Sequence, residues 1–103
     1  MKGRDRGRWF VSLGVRSRNI EDGAVLLEID EGRCCQLNVL GAQVWFTIEN
    51  SPAGIELSRI VDGLATRFQI PRQQLEKDTS DWLNKLEELG FLNQLGREIP
   101  ESP

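Results

Sequence analysis

Histidine is absent from the 103 residues of this chain. That removes His-based general acid–base catalysis, the Ser-His and Cys-His nucleophile pairs and almost every catalytic zinc site. Cysteine is nearly absent: Cys34 and Cys35 are the only two, and they are adjacent. Neighbours on a strand point to opposite faces, so these thiols cannot share a metal or form an unstrained disulfide. The CxxC spacing of redox and zinc sites is missing as well, and both cysteines read as small packing residues. The expectation is a chain that is not an enzyme and holds neither metal nor cofactor. Long apolar runs are also lacking. The longest aliphatic stretch is Ala24-Val25-Leu26-Leu27, whereas a membrane helix needs roughly 20 apolar residues. Met1-Lys2-Gly3-Arg4-Asp5-Arg6-Gly7-Arg8 carries charge with no apolar stretch behind it, which is not the pattern of a secretory signal. A soluble, cytoplasmic protein with no membrane partner is expected.

What is present is the composition of a globular domain, 39% hydrophobic and 28% charged. The length supports one modest core. The net charge of −3 is unevenly spread: residues 1–18 carry +5 and the remaining 85 carry −8. The segment 1–8 is therefore read as a basic flexible arm on an acidic body. It serves either as solubilising charge or as a dock for an acidic partner or nucleic acid.

Hydrophobic periodicity divides the chain near residue 38. Before it the period is two. Trp9, Val11, Leu13 and Val15 fall on one face of a first predicted strand, and Val25, Leu27 and Ile29 on one face of a second. Glu21-Asp22-Gly23 supplies the turn between them, and Asp30-Glu31-Gly32 a tight hairpin into a third strand, Arg33–Leu37. On that strand Cys35 and Leu37 share one face, Cys34 and Gln36 the other. The apolar face of this antiparallel sheet needs a lid of helices.

After Asn38, a natural N-cap, the period becomes helical. Val44, Trp45 and Ile48 stripe a first helix, which Asn50-Ser51-Pro52-Ala53-Gly54 ends. Leu57, Ile60, Val61, Leu64, Ala65 and Phe68 give a second helix a clean apolar face. Pro71 suits the first position of a third helix over 72–89. Leu75, Thr79, Trp82, Leu83, Leu86 and Leu89 share an arc of it, Asp78 and Lys85 lie just outside that arc, and Asp81 lies further round. Gly90 is placed to stop the helix, Phe91-Leu92 to return to the core, and 93–103 to form a polar flexible tail. The predicted fold is α+β and winged helix-turn-helix-like, three antiparallel strands followed by three helices (β-β-β-α-α-α), with one domain over 9–92.

The stretch Val25-Leu26-Leu27-Glu28-Ile29-Asp30-Glu31-Gly32-Arg33-Cys34-Cys35-Gln36-Leu37-Asn38-Val39-Leu40-Gly41-Ala42-Gln43-Val44-Trp45 resembles the PqqD-like family. The shared features are an aliphatic strand, an acidic/Gly turn, a strand ending in Leu-Asn, and Gly-Ala with an aromatic residue opening the first helix. Ile60-Val61, Leu64-Ala65, Phe68-Gln69-Ile70, Asp78, Trp82-Leu83, Leu86 and Gly90-Phe91-Leu92 continue the likeness, which spans 24–92. The resemblance implies non-catalytic recognition of the leader of a ribosomally made precursor peptide. The leader would add as a strand to the third strand, lie against the third helix, and be presented to a modifying enzyme, a leader protease or a radical SAM enzyme. The family includes the PQQ-biosynthesis chaperone and the stand-alone B1-type proteins of lasso-peptide clusters, and Arg67-Phe68-Gln69-Ile70-Pro71 is closer to the latter. Arg33, Cys34, Cys35, Gln36, Leu37, Asp78, Asp81, Trp82 and Lys85 become the expected peptide-binding residues. The family often has aromatic residues where this chain has Cys34-Cys35, which implies a differently shaped pocket.

Elementary physics agrees with this mechanism. An edge strand offers unpaired N–H and C=O groups to an added strand, or to a second copy of the chain as a homodimer. Trp82 offers a large apolar surface at low entropic cost, and Asp78 and Lys85 offer charges at its rim. The rival class is a winged-helix nucleic-acid-binding protein. Against it, the third helix holds five acidic residues and three basic ones, Arg72, Lys77 and Lys85, the wrong balance for facing phosphates.

Overall fold

The structure, a computed structural model, describes residues 7–95. Most of the predicted basic arm and tail, 1–6 and 96–103, lies outside the described residues. In chain order the elements are β1 (Arg8–Val11), β2 (Val15–Ile20), β3 (Gly23–Glu28), β4 (Arg33–Leu37), α1 (Val39–Glu49), β5 (Ile55–Glu56), α2 (Leu57–Ala65), α3 (Arg72–Glu88) and β6 (Leu92–Leu95). The class is α+β, with a three-stranded antiparallel meander and three helices, as predicted. The strands nevertheless divide into two sheets, ordered β2-β3-β4 and β5-β1-β6.

The meander follows from its turns. Ile20 pairs with Gly23 across the two-residue loop Glu21-Asp22. Gly23 takes φ 147°, and a Cβ there would run into the Leu37 carbonyl oxygen, so β4 passes over this corner only because the side chain is missing. Glu28 pairs with Arg33 across the second hairpin, close to the predicted turn. Asn38 then caps α1, its Oδ1 accepting from Gly41 N at 2.8 Å.

Three expectations are corrected. The alternation of Trp9, Val11, Leu13 and Val15 is not one strand. The chain turns at Gly14, φ 83°, leaving Leu13 97% exposed at the tip while β1 and β2 enter different sheets. The period of two survives only because the turn happens to preserve it. On β3 the face covered by helices belongs to Ala24 and Leu26, both fully buried, while Leu27 and Ile29 are exposed. A run that is apolar on both faces carries no alternation from which to read its register. Finally, strand structure continues beyond residue 92: β6 pairs antiparallel with β1, Val11 facing Leu92 and Arg8 facing Leu95.

Both sheets and all three helices close on one core. Leu26, Trp45, Ile48, Val61, Leu83, Phe91 and Leu92 are at most 1% exposed. α2 opens at Leu57 after Glu56, and α3 follows Pro71, which occupies the cap position rather than the first helical one. Arg72 ties the two helices, its Nη1 lying 2.8 Å from Asp62 Oδ1. No helix among the described residues is long and apolar enough to cross a membrane.

Candidate functional site

In the meander β3 is central, so β4 and β2 are its edges. The outer side of β4 therefore carries backbone groups with no partner strand. Across from β4 runs α3, and the two are not packed against each other along their length. They are held apart at two points. At one end Arg33 Nη1 donates to the carbonyl of Leu89, the C-cap of α3, at 2.6 Å, while its Nη2 bonds Glu31 Oε1 at 2.8 Å. A cation at a helix C-terminus is favourable for both the unpaired carbonyl and the dipole. The Glu31 bond and its charge also hold the guanidinium more firmly protonated.

At the other end Trp82 reaches the start of α1. A Cβ on Gly41 would sit 3.2 Å from the indole Nε1 and 3.3 Å from Asn38 Oδ1, so the absence of a side chain at Gly41 lets the indole lie against the turn that follows β4. Trp82 is half-buried and rests on the core. The two contacts fix the sense of the groove: β4 and α3 run antiparallel, with Arg33 by Leu89 and Asn38 by Trp82.

The predicted site residues fall into three groups. Arg33, Cys35 and Leu37 alternate onto the face of β4 that turns towards the core, where Leu37 is buried and Cys35 half-buried. Burial pushes the Cys35 thiol pKa up, with a smaller contribution from Cys34. Cys34 and Gln36 lie on the opposite, exposed face, beside Leu27 and Val25 of β3. The structure does not bring their side chains together with α3, so only their backbone borders the groove. On α3, Asp78, Trp82, Lys85 and Leu89 fall within about 60° of arc at about 100° per residue, while Asp81 lies about 40° further out. Asp81 is occupied by Lys77, 3.2 Å away. The side chains of Asp78 and Lys85 are exposed and have neither hydrogen bond nor ion pair among the described residues. Sequence reasoning missed Glu31, Gly41 and the Leu89 carbonyl as parts of the frame. Only Leu89 gave a signal, seven residues after Trp82 on the same face.

Among the described residues no group of three or more acidic or cysteine side chains could hold a metal ion. The family model described as coenzyme PQQ synthesis protein D (PqqD) matches residues 23–92, from β3 to the start of β6. The chain belongs to the PqqD family. Comparison of this PqqD-family chain with curated proteins gives no match. Among solved structures it is similar to TbiB1 in complex with the TbiA(beta) leader peptide, with a TM-score of 0.74 and 27% identity over 82% of this chain and 94% of that one. It also shares its fold with a lasso peptide synthetase B1 complexed with the leader peptide, with a TM-score of 0.72 and 19% identity over 84% of this chain and 98% of that one.

Proposed function

We propose that this PqqD-family protein is a non-catalytic recognition module for the leader of a ribosomally synthesised precursor peptide. The leader adds as a strand to β4 and lies against α3. The module then presents it in the cytoplasm to a modifying enzyme, a leader protease or a radical SAM enzyme. The observation that carries this reading is the unpartnered edge of β4, with the half-buried Trp82 of α3 beside the turn that follows it. Main-chain hydrogen bonds along the edge give general affinity, and the side chains of β4 and α3 choose the sequence. A likeness to TbiB1, solved with its leader, points the same way.

Charge opposes the nucleic-acid reading, since α3 carries five acidic side chains against three basic ones. A homodimer through β4 would occupy the same backbone groups and compete with the leader. The test is an amide NMR titration with the leader of a short precursor encoded beside the protein. Micromolar or tighter binding is expected, with shifts concentrated in Arg33–Leu37 and over residues 78–85. Shifts confined to other surfaces, or salt-dependent binding to random DNA without leader binding, would overturn it.

A further inference from the structure

The groove has a charge polarity that specifies its ligand. Among the charged side chains of α3, Arg72 pairs with Asp62 and Glu76, and Lys77 with Asp81. Asp78 and Lys85 differ. They bracket Trp82 on one face of α3, Lys85 alongside β4 and Asp78 one turn beyond the end of that strand, and neither side chain has a partner among the described residues. At the Lys85 end Arg33 and Glu31 are paired with each other, while Glu88, three residues after Lys85, lies about 60° round the helix on the side away from Trp82. Glu28 Oε1 accepts from the Glu31 amide at 3.0 Å. Along this face α3 is thus negative at Asp78, one turn beyond the Trp82 contact, apolar at Trp82 and positive at Lys85.

Spacing turns this polarity into a sequence rule. Asp78 and Lys85 are separated by about 10 Å along the helix axis. An extended chain covers about 13 Å in four residues, and residues i, i+2 and i+4 share one face. A basic and an acidic residue four apart, with an apolar residue midway, therefore match Asp78, Trp82 and Lys85 within side-chain reach. Direction follows from the sheet. Every strand pair described is antiparallel, and antiparallel pairing is slightly the more stable. A strand antiparallel to β4 runs parallel to α3, meeting Asp78 first and Lys85 last. Resting on the leader-binding reading, we propose that the preferred ligand is an extended segment of the pattern basic-x-apolar-x-acidic, read from its N-terminus.

The test uses two end-blocked decapeptides of identical composition on a Thr/Val background, one with Lys-x-Leu-x-Glu at its centre and the other with Glu-x-Leu-x-Lys. The first is expected to bind about tenfold more tightly at low ionic strength, the size expected when two exposed charge pairs change from repulsive to attractive. The difference should shrink towards unity in about 0.5 M salt. A D78K/K85D double variant, whose fold is checked by its amide spectrum, should reverse the preference. Equal affinity with shifts along β4 would overturn the charge rule and leave the leader groove intact. Preference of the unaltered protein for the reversed peptide would overturn the assigned direction. If neither peptide shifts β4 or α3, the rule fails. The leader of a short precursor encoded beside the protein then separates the readings, since shifts of the same amides preserve the groove and their absence removes it too.

Discussion

Cys34 and Cys35 are neighbours in sequence with different surroundings, one exposed and one half-buried against the core. Only the thiolate reacts with an alkylating agent, and burial raises the pKa of Cys35. At pH 8, iodoacetamide should label the exposed Cys34 first, with Cys35 slower and gaining as the pH rises; peptide mass spectrometry after timed quenching reads both rates. Equal rates would place the two thiols in the same environment and contradict the alternation of β4. Saturating leader should slow Cys35 further. Much of this was legible beforehand, because alternation alone puts Cys35 with Leu37 and Cys34 with Gln36. Missing was the Arg33 bond to the Leu89 carbonyl, which joins residues 56 positions apart and leaves no periodic trace.

Among the elements, β3 shows where pattern reading stops. Its register against β2 and β4 puts Leu26 opposite Ser17 and Cys35, and Leu27 opposite Arg16 and Cys34. Leu26 is fully buried and Leu27 is 39% exposed. Leu26→Ala should therefore cost about 2–5 kcal/mol and Leu27→Ala under about 1 kcal/mol, as urea midpoints at constant m-value would report. Similar losses at both positions would put the strand in the wrong register. Helices were read with greater success, since the 3.6-residue period of α2 and α3 admits one buried face. The small sheet was not: β5 has two residues, and both β5 and β6 exist only through pairing with β1. Such short strands are defined by distant partners rather than by their own composition.

At the scale of the whole molecule, β4, the edge proposed to receive the leader, belongs to one sheet and the ends of the described chain to the other. Arg8 pairs with Leu95, and Trp9 with Gln94, in antiparallel register, which puts their Cα atoms about 5 Å apart. Entry and exit of the described polypeptide thus share one doorway. The domain is consequently a cassette: it can be spliced into a loop of a larger enzyme without stretching its host, and its own order can be rotated. A circular permutant joining residues 95 and 7 by a short Gly/Ser linker, and opened in the exposed Pro52-Ala53 segment, should fold and bind the leader within about threefold of the original chain. An amide spectrum and the same titration would check both; loss of the fold would mean that chain order, not only the contacts, is required. A module of this kind can be carried as a separate protein or as part of a catalyst, with the same strands meeting at the same door.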